Sequence, residues 1–151
     1  MKKRSDPGEM RGQWYTGELE YEGFPLILRF QGQLDFDALQ ILYPKLVVIT
    51  HTLETVKPNG LPEPDYNSSL LDFDQELIAT VQESGFGLVV LVETFGGRRI
   101  YYFYVSPEFQ IEQCKHDISV KYPQQQLEWS IHDDKDWNFI REYADKYNFP
   151  M

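Results

Sequence analysis

The chain has 151 residues, of which 42% are hydrophobic and 15% aromatic, and its formal net charge is −10. This length fits one domain, and the hydrophobic fraction excludes a disordered chain. The negative charge argues against a nucleic acid or a membrane as the main partner, because phosphates and anionic lipids would repel the protein.

The first eleven residues differ in charge from the rest of the chain. They contain four basic residues and two acidic ones, and no apolar segment follows the basic start. This pattern predicts a disordered basic tail over residues 1–11 and a single α+β domain over residues 12–151. Cys114 is the only cysteine, so no internal disulfide can form, which favours a cytoplasmic location.

Two alternating segments near the start predict a β-hairpin. Apolar and polar residues alternate over residues 13–22 and again from Leu26, and Glu22-Gly23 between them is a turn signal. A short helix is predicted around Phe36–Leu42. The apolar, β-branched segment Leu46–Leu53 predicts a central strand, and a loop rich in proline and glycine follows it.

Helical and strand patterns then alternate along the second half of the chain. A helix is predicted from Ser69 to Ser84, with Ser69 as the N-cap residue. Gly96-Gly97 predicts a two-residue hairpin turn between two strands. Ser106-Pro107 predicts the start of a second helix, and a last strand follows around residues 127–131. Asp133 or Asp134 is expected to cap a third helix.

The order of elements from Leu46 onward predicts the fold. Strand, helix, strand, strand, helix and strand follow one another, which is the split βαβ order of a ferredoxin-like sandwich. We therefore expect an antiparallel sheet with helices on one face. The N-terminal β-hairpin and the C-terminal helix are additions to this core.

The hairpin around Gly96-Gly97 supplies the candidate binding residues. A two-residue turn places Leu91 opposite Tyr102, so Val90 and Val92 should share the helix-covered face with Tyr101 and Phe103. The opposite face would mix apolar and charged groups, which is typical of a surface that meets a second subunit or a partner. The predicted binding residues on that face are Glu93, Arg98, Tyr102 and Tyr104, with Glu93 and Arg98 able to form an ion pair across the strands.

No assembled catalytic or metal-binding set is visible in the sequence. The three histidines, His51, His116 and His132, have no second histidine at ligand spacing. The acidic residues from Asp134 to Asp145 match a calcium loop in part, but the glycine that such a loop requires is missing. Cys114 lies on an apolar helical stripe, where a thiol acts as a core residue. We expect no catalytic residue, no metal and no cofactor.

Several short segments, spread over residues 13 to 147, form a pattern by their order along the chain. The segments are Trp14, Glu20–Pro25, Leu28-Arg29, Tyr43–Val47, Asn59–Pro62, Gly96-Gly97-Arg98, Asp136-Trp137 and Tyr143. Together they resemble a bacterial family catalogued as domain of unknown function 695. Members of that family sometimes stand beside a domain similar to the ribonuclease E inhibitor B protein, an acidic ferredoxin-like regulator. The resemblance supports the fold predicted above and a bacterial cytoplasmic setting, and it supplies no catalytic motif.

Two functions follow from these patterns. The first is a non-catalytic protein-binding or regulatory module, whose acidic surface favours a basic protein partner. A homodimer is an alternative to such a partner. The second is a small enzyme or ligand-binding protein, with its pocket between the N-terminal hairpin, the proline-rich loop and the sheet. Candidate groups for that pocket are His51, Glu93 and Arg98.

Overall fold

A computed structural model describes residues 13–149 and shows six strands and five helices in this range. The predicted basic tail, residues 1–11, lies outside the described residues. The elements are β1 (Gln13–Tyr21), β2 (Phe24–Gly32), α1 (Phe36–Leu42), β3 (Lys45–Thr52), α2 (Pro64–Ser69), α3 (Leu71–Gln82), β4 (Gly87–Phe95), β5 (Arg98–Val105), α4 (Ile111–Lys121), β6 (Gln126–Asp133) and α5 (Asn138–Tyr147).

All six strands form one sheet in the order β1-β2-β4-β5-β3-β6, and every neighbouring pair is antiparallel. This confirms the predicted α+β class with an antiparallel sheet. The N-terminal hairpin, β1 and β2, extends the sheet and places β1 at its edge. The strand β6 forms the opposite edge.

Helices cover both faces of the sheet, so the expectation of helices on one face is wrong for α1 and α5. The helices α3 and α4 cover one face, with Phe73, Leu77 and Ile118 in its core. The helices α1 and α5 cover the other face, where Trp137 and Ile140 pack among strand residues. The second face needs this cover because it carries a full apolar layer of its own. Its strand residues are Leu26, Leu28, Phe30, Leu46, Leu88, Val90, Leu91 and Tyr104.

A β-bulge in β4 changes which residues share a face. Leu91 lies opposite Tyr102 as predicted, but Val89 lies opposite Phe103, so Val90 is the extra residue. Val90 therefore packs in the core under α5 and not on the face of Tyr101 and Phe103, where it was predicted to lie. Val89 takes the place under α3 instead. The side chain of Gln31 donates to the Val89 carbonyl at 2.6 Å, which stabilises the bulged backbone.

Two predicted helix starts are wrong, and one predicted cap is confirmed. Ser69 ends α2 instead of capping α3, and its hydroxyl donates to the Tyr66 carbonyl. Ser106 precedes a turn, and α4 begins only at Ile111 because Phe109 in that turn packs against the core. The Asp134 carboxylate accepts hydrogen bonds from the first two backbone N–H groups of α5, at 2.9 and 3.1 Å.

The proline-rich loop packs closely on the tip of the Gly96-Gly97 hairpin. Gly60 has φ +91°, and its carbonyl accepts a hydrogen bond from the Gly97 N–H at 2.8 Å. A Cβ atom at position 60 would lie 2.9 Å from the Gly96 Cα atom, which is closer than real Cβ contacts. Only glycine therefore fits this position without a shift of backbone.

The Gly60→Ala variant is expected to lose about 1–3 kcal/mol of unfolding free energy, because strained backbone costs this much and the loop must also move. Urea unfolding of purified protein measures the loss. A Gly17→Ala variant is the control, since nothing lies within 4 Å of a Cβ atom built there. Equal stability of Gly60→Ala and the wild type would show that the loop is not held against the hairpin.

Candidate functional site

A groove lies between the N-terminal hairpin and α3. The β1 side chains on the α3 side are Trp14, Thr16, Glu18 and Glu20, and all four are exposed, so no helix covers this part of the sheet. The space between these strands and α3 has a volume of about 420 Å³. We call it the hairpin groove. Its lining residues are Trp14, Thr16, Arg29, Leu71, Asp74, Gln75, Ile78, Ala79, Gln82 and Glu83.

An ion pair between β2 and α3 forms one wall of the hairpin groove. The Arg29 guanidinium donates two hydrogen bonds to the Asp74 carboxylate, at 2.8 and 2.7 Å. The Tyr101 hydroxyl donates to the same carboxylate at 2.5 Å. Burial alone would raise the pKa of Asp74, but the bonds and charge of Arg29 and the Tyr101 hydroxyl outweigh it, so its pKa lies below the ordinary value. Asp74 is therefore a stable carboxylate.

The buried guanidinium of Arg99 lies near the same carboxylate. The Arg99 side chain donates to the Thr94 hydroxyl and to the Asn67 side-chain oxygen, both at 2.9 Å. Its charge also helps to lower the pKa of Asp74. Burial raises the pKa of Tyr101, so this hydroxyl stays protonated at neutral pH. These groups hold α2 and α3 on the sheet and include no acid or base poised to exchange a proton near pH 7.

The rim of the hairpin groove is apolar and acidic. Trp14 is 40% exposed and Leu71 is 55% exposed, on opposite sides of the groove. Glu83 lines the groove, and Glu18 follows Thr16 on the same side of β1. Since Arg29 is neutralised by Asp74, the uncompensated charges at the rim are negative among the residues that the structure describes.

Three of the four binding residues predicted from sequence, Glu93, Tyr102 and Tyr104, lie under or beside α5. Tyr104 is fully buried, with its ring stacked 4.2 Å from the Trp137 ring and its hydroxyl on Asp134. Tyr102 is half-buried and stacks on Phe139 at 4.5 Å. The face that was predicted to meet a second subunit or a partner is thus covered by α5, which brings an aromatic stripe of its own.

Glu93 and Arg98, the two charged residues of that set, do not form the expected ion pair. The Glu93 carboxylate accepts a hydrogen bond from the Tyr143 hydroxyl at 2.5 Å instead. Glu93 also lines a cleft of about 240 Å³ that lies between α5 and the strands β1, β2 and β4. Arg98 is exposed at the start of β5. Tyr102 lies near both charges: burial first and then the Glu93 charge raise its pKa, while the Arg98 charge lowers it.

The pocket predicted for the alternative function also has a counterpart. A cleft of about 410 Å³ lies between the β1–β2 turn, the proline-rich loop and the Gly96-Gly97 hairpin, with Phe24 and Phe95 among its lining residues. Of its three candidate groups, Glu93 and Arg98 are absent from this lining, and His51 is fully buried elsewhere. Burial lowers the pKa of His51, whose Nε2 atom lies 2.8 Å from the Gln125 side-chain oxygen.

The residues of the hairpin groove were not predicted from the sequence. Arg29 was a usable signal, because it is the only charged residue within the apolar strand β2. Asp74 was another signal, since its position in the sequence falls beside the apolar stripe of α3. The structure shows that it is buried there. The two residues are 45 positions apart, so their pairing could not be read from local spacing.

The remaining chemistry-bearing residues give no assembled site within residues 13–149. In this range no group of three or more histidine, cysteine or acidic side chains could hold a metal ion. None of the described helices is long and apolar enough to cross a membrane. Cys114 is buried, which raises the pKa of its thiol to about 11 and leaves it protonated at neutral pH.

Comparisons with known proteins give one match. A family model described as a family of unknown function, DUF695, matches residues 13–144. This range contains all six strands and most of the helical residues, including every residue that lines the hairpin groove. No curated protein and no solved structure was found to match the chain.

Proposed function

Because the chain belongs to the DUF695 family, whose function is unknown, we propose a function from its own surface: it is a non-catalytic module that binds a basic protein segment in the hairpin groove. The observation that carries this proposal is that no described helix covers β1 on the side of the sheet where α3 lies. There, Trp14 and Leu71 stand exposed on two sides of a groove of about 420 Å³. Aromatic anchors beside a pocket are the usual source of binding energy at protein interfaces.

Charge supports a basic partner. The protein carries 24 acidic and 14 basic residues. Glu83 lines the groove, and Glu18 follows Thr16 on the same side of β1. Among the described lining residues, Arg29 is the only cation, and Asp74 engages it. A basic segment would gain from this field during encounter, and the gain would fall as salt screens it over about 8–10 Å.

The proposal predicts that partner capture depends on the rim of the hairpin groove. In pull-downs from a cell lysate, we expect a basic protein to be retained by the wild type and lost from a Trp14→Ala/Leu71→Ser variant. Retention should also weaken between low and high salt. The control variants are Ile41→Ala and Val120→Ala, which remove exposed apolar side chains outside the groove, where exposure is 79% and 65%.

The outcomes separate the candidate surfaces. Capture that is unchanged in the groove variant would contradict the proposal. Capture lost in an Arg98→Glu variant, but kept in the groove variant, would move the contact to the residues predicted from sequence, Glu93, Arg98, Tyr102 and Tyr104. Capture of acidic proteins, or capture that strengthens with salt, would contradict the basic partner.

The cleft between the β1–β2 turn, the proline-rich loop and the Gly96-Gly97 hairpin supports a second candidate function. Its volume of about 410 Å³ is within the range of small-molecule sites. On this alternative, the protein is a small enzyme or ligand-binding protein. A metabolite that raises the melting temperature of the wild type, and not of a Phe24→Ser variant, would favour it over the groove.

We also infer that β3 to β6, with α3 and α4, form a ferredoxin-like core. The strand order β6-β3-β5-β4 supports this, because it is the order that two split βαβ units produce. A cytoplasmic setting is part of the same proposal, and it is supported by the single, buried cysteine.

A further inference from the structure

We propose that the basic partner binds as an extended strand added to the free edge of β1, an inference that rests on the function proposed above. Within residues 13–149, β1 pairs only with β2, so its other edge has no strand beside it. An unpaired edge presents a row of backbone N–H and C=O groups that can continue a sheet. The hairpin groove lies along the same strand.

The turn between β1 and β2 fixes which backbone groups point outward. Glu22 and Gly23 have φ +53° and +85°, which gives a two-residue hairpin closed by the pair Tyr21 and Phe24. Such a closing pair is hydrogen-bonded, and hydrogen-bonded pairs alternate with non-hydrogen-bonded pairs along the ladder. Pro25, which has no N–H group, fits this register because it lies opposite Glu20 in a non-hydrogen-bonded pair.

It follows that every second residue of β1 points its backbone N–H and C=O groups away from β2, toward the free edge of the sheet. These residues are Trp14, Thr16, Glu18 and Glu20, the same four whose side chains lie exposed on the groove side. A residue that pairs with Thr16 or Glu18 in antiparallel register would place its own side chain on that side as well. An added strand would therefore set alternate side chains beside Glu18 and Glu20, where lysine or arginine is favoured.

The charges on the edge strands select against a second copy of this chain. The strand β1 contains two glutamates and no lysine or arginine. The other edge strand, β6, contains Glu128 and Asp133 and also no lysine or arginine. Pairing β1 with itself or with β6 would bring like charges together, which destabilises strand pairs. The occupant we infer is a strand of another protein, with lysine or arginine at alternate positions.

The experiment measures binding of a labelled synthetic peptide, Lys-Val-Lys-Val-Lys-Val-Lys, by fluorescence anisotropy at low salt. We expect an analogue with N-methyl groups on alternate residues, which removes the N–H groups of one edge, to bind at least about 10-fold more weakly. A factor of 10 corresponds to about 1.4 kcal/mol, or one to two backbone hydrogen bonds. A Glu-Val peptide of the same length should not bind measurably.

The matched protein variants are Thr16→Pro and Thr16→Ala. Because the Thr16 N–H points outward, proline removes it without breaking a bond to β2, as proline does at natural sheet edges. We expect peptide binding to be about 10-fold weaker for Thr16→Pro than for Thr16→Ala, because both variants lose the threonine side chain and only Thr16→Pro also loses the backbone N–H. If Thr16→Pro fails to fold, the N-methylated peptide still decides the question on the wild-type protein.

Two outcomes would overturn the strand addition and leave the groove function standing. The first is equal binding of the N-methylated and unmodified peptides, which would mean that side chains alone make the contact. The second is a concentration-dependent dimer that Thr16→Pro abolishes, which would make a second copy the occupant. Loss of the groove function itself is read separately, from lysate capture by the Trp14→Ala/Leu71→Ser variant.

Discussion

Replacing Asp74 with alanine is expected to lower the free energy of unfolding by about 3 kcal/mol, because it leaves the Arg29 guanidinium without its carboxylate. The loss should fall at the low end of the range for broken buried ion pairs, because the Arg29 side chain is 31% exposed and water can hydrate it. The Tyr101 hydroxyl also loses its acceptor. Urea unfolding at neutral pH measures the change.

Two further variants show whether charge is the cause. Asp72→Ala removes an exposed acid from the same helix and should change stability by less than about 0.5 kcal/mol. A double variant, Asp74→Leu/Arg29→Met, removes both charges and should recover part of the loss. The two single variants, Asp74→Leu and Arg29→Met, complete the comparison. If the double variant loses as much unfolding free energy as these two lose together, the ion pair is not the source of the effect.

The pH dependence has a definite sign. The pKa of Asp74 is lower in the folded protein than its ordinary value, so the folded state favours the ionised carboxylate. The contribution to stability is complete above about pH 5 and is lost as the pH falls through the ordinary aspartate pKa toward the lower folded value. The stability gap between the wild type and an Asp74→Asn variant should therefore narrow only in acid.

The second large effect is expected at Trp137, where Trp137→Ala should cost about 3–5 kcal/mol of unfolding free energy. Its side chain is fully buried and stacks 4.2 Å from the Tyr104 ring. Its indole N–H donates to the Tyr43 carbonyl at 2.7 Å, which ties the end of α1 to the start of α5. Alanine would leave a cavity at this junction and an unpaired carbonyl.

Trp14→Ala makes the same chemical change at a side chain that is 40% exposed, and it should cost much less than Trp137→Ala. Thermal unfolding of both variants under one set of conditions gives the comparison. Similar losses for the two tryptophans would mean that the core under α5 contributes little to stability.

Local pattern predicted most of the elements, and particular side chains explain where it failed. Alternation identified β1 and β2, and Gly96-Gly97 identified the second hairpin with its Leu91–Tyr102 register. The bulge at Val90 could not be predicted, because the Val89 backbone bonds to Gln31 in the distant strand β2 and to Gln82 at the end of α3. One inserted residue reverses the faces of the residues on one side of it.

The position of α5 shows a second limit of local pattern. Helical periodicity identifies the buried stripe with Ile140 and Ala144, but it does not say which face of the sheet receives that stripe. Trp137 adopts a left-handed backbone, with φ +59°, that no propensity predicts for tryptophan. The hairpin groove was missed for a related reason, since exposure of β1 depends on where α3 ends its cover of the sheet.

The stacking of Phe30 on Phe149, with ring centroids 3.7 Å apart, bears on how the protein is made. The buried residues of the core under α3 and α4 lie between Val47 and Ile118, and Tyr122, Leu127 and Trp129 pack against them. This core can therefore assemble before residues 137–149 are synthesised. The other core needs Trp137, Ile140 and Phe149, which are synthesised after the residues of the first core. Until then, the apolar side chains that β2 contributes to this core lack the cover of α5 and Phe149.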